Sequence, residues 1–194
     1  MDFRVAPPSR EAIPLTPGRY RLNVVAKDVI AGNMNNFELA LDVPHFDDEK
    51  LAQSSLILSD IIEKVPTKSI GAGMFVIGDT KVRPRLGDNA AHSTFRRDEK
   101  MGIYTQFYNF GVDEKTHKPN AEIQYEIVKA GSTEKIIDFT ESVDKIPGAS
   151  GSQVTIEKLL PLKTLAPGQY ELKMKVTDKI RNQTLTPSAK FTVS

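Results

Sequence analysis

Three histidines, His45, His92 and His117, are the side chains best placed by type to hold a metal or move a proton near neutral pH. Each stands in a polar stretch with no second His, Asp or Glu at zinc spacing, so solvated loop positions are expected. Calcium needs about six to eight converging oxygens. Asp47-Asp48-Glu49, Asp28 and Asp178 could contribute some, but a solvated linker and turn-forming aspartates account for them equally well. Lys81, Arg83 and Arg85 alternate along one face of a candidate strand, with Arg96 and Arg97 following, which makes them a candidate anion-binding patch. Asp79, Asp88, Asp98 and Glu99 dilute its charge, and Pro84 within the run marks an edge strand. Gly148-Ala-Ser-Gly-Ser152 comes nearest to a nucleophile elbow, but it reads as a turn between strands. Gly71-Ala-Gly-Met-Phe-Val-Ile-Gly78 lacks the lysine and following helix of a phosphate cradle and reads as a strand entry or bulge. There is no cysteine, hence no thiol catalysis or disulfide. No catalytic constellation and no cofactor are expected.

Lys plus Arg (26) nearly cancels Asp plus Glu (25), so no net field draws the chain to nucleic acid or to an anionic surface. No apolar run approaches the roughly 18 residues of a spanning helix, and membrane insertion is not expected. With 39% apolar and 26% charged residues over 194 positions, the composition is that of one or two ordinary globular domains. Tryptophan is absent, which excludes the Cys–Trp–Cys signature of antibody-type domains.

The elements that must position these residues are announced by a repeat. Leu15-Thr-Pro-Gly-Arg-Tyr-Arg-Leu22 returns 150 residues later as Leu165-Ala-Pro-Gly-Gln-Tyr-Glu-Leu172. Over thirty ungapped positions eight are identical: Leu15, Pro17, Gly18, Tyr20, Leu22, Asp28, Ile30 and Val43. Pro-Gly makes a turn, because Pro presets φ and Gly adopts what a Cβ would forbid. A strand with one apolar face follows, Tyr20, Leu22, Val24, Ala26 in one copy and Tyr170, Leu172, Met174, Val176 in the other. A polar turn leads to a returning strand, so each copy is an antiparallel hairpin. A Tyr directly after such a turn is similar to the tyrosine corner of Greek-key sandwiches, which makes Tyr20 and Tyr170 structural candidates rather than catalytic phenols.

Further strands are expected at Met74–Ile77, Lys81–Leu86, Met101–Val112, Ala121–Lys129, Lys135–Thr140 and Val154–Leu162. Ser54–Asp60 reads as a strand, with a helix over Leu51–Val65 as its rival. Short strands at this spacing give an all-β, immunoglobulin-like antiparallel sandwich over 54–194. It is preceded by a linker at 45–53 and, at 1–44, by the terminal hairpin of a second, truncated sandwich.

The run from Leu15 to Leu22, Lys27-Asp28, Phe37–Pro44, Ser54–Asp60, Lys81-Val-Arg-Pro84 and Arg97–Tyr104 resembles the C-terminal region of bacterial GWxTD-domain proteins, best known from Acidobacteria. The Gly-Trp-x-Thr-Asp motif itself is absent. The resemblance implies an exported, periplasmic or extracellular β-sandwich region and no reaction. The expected function is a non-catalytic interaction or spacer module contacting a protein partner or neighbouring domains. The alternatives are a carbohydrate- or peptide-binding module, or an accessory domain of an enzyme whose active site lies elsewhere.

Overall fold

The structure is a computed structural model that describes residues 15–85 and 93–194. The chain divides into two compact units, Met1–Asp47 and Asp48–Ser194.

In the first unit, β1 (Gly18–Lys27) pairs antiparallel with β2 (Met34–Val43), in register from Gly18↔Val43 to Lys27↔Met34 without a shift. Asp28 makes the connecting turn, its Oδ1 accepting the backbone N–H groups of Ile30 at 2.9 Å and Ala31 at 3.0 Å. Gly32 completes the turn at φ 75°, in the left-handed region.

The second unit holds β3 (Ala52–Gln53), β4 (Ile57–Lys64), β5 (Val76–Ile77), β6 (Thr80–Pro84), β7 (Ser93–Phe95), β8 (Lys100–Tyr108) and β9 (Ala121–Lys129). Then come β10 (Lys135–Ser142), β11 (Val154–Pro161), β12 (Gly168–Asp178), β13 (Gln183–Leu185) and β14 (Ser188–Val193). One sheet runs β10-β9-β12-β14-β7 with β13 also on β12, and the other β11-β8-β4-β6-β5 with β3 on β8. Two single-turn 3-10 helices, Thr67–Ser69 and Val143–Lys145, are the only helical elements among the described residues. The chain crosses between sheets at β6–β7, β7–β8, β8–β9, β10–β11 and β11–β12, which makes the unit a two-layer β-sandwich.

Strict alternation builds the core. Tyr170, Leu172, Met174 and Val176 of β12 and Ile123, Tyr125 and Ile127 of β9 are buried against Met101, Ile103 and Phe107 of β8 and Val154 and Ile156 of β11. Each such side chain contributes about 1.5–3 kcal/mol.

The repeat is structural as well as sequential. β12 meets β14 and β13 in the register Gly168↔Val193 to Asp178↔Gln183, which is the β1–β2 register shifted by 150 at both strands. Asp178 repeats the turn of Asp28, its Oδ1 accepting from Ile180 and Arg181 at 2.9 and 3.1 Å. Asn182 holds the left-handed position of Gly32, which asparagine tolerates. Pro187, standing where the first copy has Phe37, splits the returning strand into β13 and β14. The Tyr20 hydroxyl donates to the Thr16 carbonyl at 2.7 Å, and that of Tyr170 to the Ala166 carbonyl at 2.6 Å.

Several boundaries differ from the sequence reading. The second unit begins at Asp48, inside the expected linker: Leu51 is buried and its N–H donates to Gln183 Oε1 at 2.6 Å. The strand expected at Ser54–Asp60 is present but runs Ile57–Lys64, and its rival helix does not form because β4 lies between β8 and β6. The Met101–Val112 strand stops at Tyr108, followed by Asn109 at φ 64°. β7 was unforeseen; it is three residues long and pairs in parallel with β14. Residues 86–92, with His92 and Asp88, lie outside the described residues.

The two copies differ in burial, which sets the first test. Leu172→Ala is expected to cost about 2–5 kcal/mol in urea unfolding followed by tyrosine fluorescence, and Leu22→Ala no more than about 0.5 kcal/mol. Equal losses would contradict the structure.

Candidate functional site

Because Met101, Ile103 and Phe107 enter the core, Tyr104 and Gln106 of β8 face the outer side of their sheet, as do Thr155 and Glu157 of β11. At the far side of the same sheet, Lys64 of β4 stands opposite Thr80 of β6. Lys64 Nζ reaches over to Glu157, 3.0 Å from both of its oxygens. It also lies 3.1 Å from Asp79 Oδ1 and donates to Thr80 Oγ1 at 2.8 Å. The buried Thr80 hydroxyl donates to Glu157 Oε1 at 2.6 Å. This network ties β4 and β6 to β11 across the intervening β8.

A cleft of about 480 Å³ opens beside it, floored by Tyr104, Gln106, Thr155 and Glu157 and walled by Lys64, Asp79 and the Ile146–Gly148 turn. Gln106 Nε2 donates to Thr155 Oγ1 at 3.3 Å, and the Tyr108 hydroxyl to Gln106 Oε1 at 2.7 Å, so the floor is a fixed array of amide and hydroxyl groups. A hydrogen bond from Lys64 leads the effects that hold the Asp79 carboxyl below its usual range. Burial pulls the Lys64 ammonium down, but hydrogen bonds to Glu157 and Asp79 outweigh it and leave the group above its ordinary value. Burial raises the phenols of Tyr104 and Tyr108. At neutral pH the cleft therefore presents ionised Lys and Asp and protonated phenols, an arrangement able to hydrogen-bond a hydroxyl-rich or amine-bearing ligand.

The residues singled out in the sequence fall elsewhere. Arg83 holds Asp60 in a two-point pair, Nε to Oδ1 at 2.8 Å and Nη2 to Oδ2 at 2.9 Å. Arg85 adds a bond to the same Oδ2 at 3.1 Å and donates Nε to the Thr94 carbonyl at 2.8 Å, joining β6 to β7 across the sandwich. Lys81 pairs with Glu63 at 3.4 Å. The three cations of the candidate anion patch are thus each met by a carboxylate. Arg96 pairs with Asp98 and Glu99, and Arg97 donates to the Lys163 carbonyl at 2.9 Å. His45 and His117 are exposed. Asp28 and Asp178 both serve turns; Asp178 Oδ2 also accepts the Gly111 N–H at 2.7 Å, where a Cβ would lie 2.6 Å from Ile180. No group of three potential metal ligands occurs among the described residues. Gly148–Ser152 forms a turn closed by a Ser150–Gln153 bridge. Gly71 and Gly73 adopt positive φ in the loop leading to β5, and Gly78 in the turn between β5 and β6.

Sequence reasoning missed Lys64, Thr80, Tyr104 and Glu157 as a group. Lys64 and Glu157 are 93 residues apart, and no local spacing signals such a pair.

The chain matches no protein-family model, and no curated protein is significantly similar to it.

The Asp60 cluster gives a pH dependence. Hydrogen bonds from Arg83 lead the effects that hold the Asp60 carboxyl below its ordinary value of 3.8. A depressed carboxyl stabilises the fold fully above its unfolded-state value, and that contribution is lost as pH falls through the folded-state value. Asp60→Asn is expected to cost about 1–2 kcal/mol at pH 7 and to flatten the stability loss below about pH 4. An unchanged acid limb in urea titrations between pH 2 and 7 would refute this.

Proposed function

We propose that the chain is a non-catalytic β-sandwich module working through protein contacts, with the Gly18–Val43 hairpin as its contact surface. The observation that carries this reading is the apolar face of that hairpin. Leu22, Val24, Phe37 and Leu39 are 38–59% exposed, whereas Leu172 and Met174, at the repeat positions of Leu22 and Val24, are 0% and 2% exposed. Contiguous exposed apolar surface of this kind marks a site of association. The cleft chemistry supports the non-catalytic part: its ammonium is raised and its Asp79 carboxylate lowered, both away from the neutral range that general acid–base work needs. The resemblance to GWxTD-domain proteins supports a place in a cell-envelope or secreted bacterial protein, where the module would join or space neighbouring domains.

The polar cleft favours a second reading, a carbohydrate- or peptide-binding module, through its fixed amide, hydroxyl and carboxylate groups.

A photo-crosslinking residue at Phe37, in cells that make the protein, separates the two. Discrete protein adducts are expected, and Leu22→Glu combined with Leu39→Glu should abolish them without changing the far-ultraviolet circular dichroism. Adducts confined to a crosslinker at Gln153, beside the cleft, would overturn the first reading in favour of the second.

A further inference from the structure

The second copy of the hairpin shows what such a hairpin packs against. β12 has β14 and β13 on one edge, and on the other β9, in the register Leu172↔Ile127, Met174↔Tyr125 and Val176↔Ile123. The Met174 N–H points to the hairpin side, donating to the Pro187 carbonyl at 2.9 Å. The Gln169 carbonyl points to the other side, accepting from Ala130 at 2.8 Å. Backbone groups alternate along a strand, so on β1 those of Arg19, Arg21, Asn23, Val25 and Lys27 point away from β2. Among the described residues β1 has only β2 as a neighbour, and the edge it offers is ten residues long with no register shift.

The edges of the sandwich are built differently. Edge strand β11 turns Lys158 inward, where it donates to Glu141 at 2.7 Å and lies 5.1 Å from the Tyr125 and Phe139 ring centres. Edge strand β10 carries a register shift between Lys135 and Ile137. Inward charges and bulges are devices that discourage strand addition; β1 shows neither.

Charge narrows the occupant. The face of β1 opposite its apolar side carries Arg19, Arg21 and Lys27 and no acid; Arg19 pairs with Asp42 of β2 at 3.2 Å, which leaves Arg21 and Lys27 to face an added strand. On the corresponding face of β12, Lys173 stands opposite Glu126 of β9. A strand suited to β1 therefore alternates large apolar residues with acidic ones. Charge argues against a second copy of the same hairpin, because an antiparallel β1–β1 pairing would set the basic residues Arg19, Arg21 and Lys27 against one another.

We propose that β1 takes up an extended segment of a protein partner in which apolar residues alternate with acidic ones. It binds antiparallel, in the register that β9 holds against β12, and sets its apolar residues opposite Leu22, Val24 and Ala26. This rests on the protein-contact reading above and names the partner's local chemistry.

The probe is a synthetic peptide with the sequence of Ala121–Lys129, added to the intact chain and followed by fluorescence anisotropy. Saturable binding is expected. Asn23→Pro should weaken it at least about tenfold, because it removes an outward N–H without breaking the β1–β2 ladder. A peptide of the same composition with its apolar residues consecutive rather than alternating should not bind. The proposal is overturned if the alternating peptide does not bind, if both peptides bind alike, or if Asn23→Pro has no effect. It is also overturned if sedimentation shows a dimer of the chain that Asn23→Pro dissolves, since the occupant would then be a second copy. Persisting Phe37 crosslinks with no peptide binding would remove the strand assignment and leave the protein-contact reading standing.

Discussion

A two-stranded hairpin with period-2 alternation cannot bury its apolar face on itself. It needs a second layer about 10 Å away, and two strands alone are marginal in water. The Asp48–Ser194 unit is the solution to that constraint. Tyr170 stacks on Phe191 at 5.6 Å, Phe95 meets Phe191 edge-on at 6.4 Å, and Ile103, Phe107 and Ile156 close the layer from the opposite sheet. The strand crossings at β6–β7, β7–β8, β8–β9, β10–β11 and β11–β12 follow, because strands must be delivered to both layers.

Polar groups then fix where the layers end. Asp178 is fully buried, and its two oxygens take three backbone N–H groups, from Ile180, Arg181 and Gly111. That binds the β12 turn to the chain leaving β8, and Gly111 is required there because any Cβ would strike Ile180. Asp28 performs the first half of this task in the hairpin, with the same two turn bonds. The Arg83–Asp60–Arg85 cluster and the Lys64–Glu157 link are partly exposed and contribute modestly to stability. Their effect is positional, since each holds the β4–β6 corner to a strand outside its own hairpin.

What the sequence made legible depended on how local the cause was. β9 matches its expected bounds because Ala121, Ile123, Tyr125 and Ile127 alternate cleanly with charged or amide residues between turn signals. The two hairpins were legible for the same reason, down to the aspartate that caps each turn. β7 was not, because three residues carry no period and its partner β14 lies almost a hundred positions away. The helical spacing of Leu51, Ser55, Leu58, Ile62 and Val65 was overridden by tertiary pairing, with β4 held by β8 on one side and β6 on the other. The cleft was illegible because its walls meet only after β4, β6, β8 and β11 have assembled, and its polar residues look in sequence like any solvated face. The alternation of Lys81, Arg83 and Arg85 was visible, but their acids, Glu63 and Asp60, precede them by about twenty positions on a different strand.

The comparison of the two hairpins separates what local sequence encodes from what packing adds. Register, turn aspartate, left-handed turn residue and tyrosine hydrogen bond are the same in both, though one apolar face is buried and the other exposed. These features are therefore set by some thirty residues and need no second layer. The apolar face is different, because exposure at Leu22, Val24, Phe37 and Leu39 contributes little to the hairpin itself and carries an association hazard. A hairpin meant for water would alternate polar residues on both faces without losing register, since the turn and ladder already fix it. Keeping Tyr20, Leu22, Val24, Leu39, Leu41 and Val43 in phase has a physical return only when a second layer covers them, as β8 and β11 cover the corresponding residues of β12.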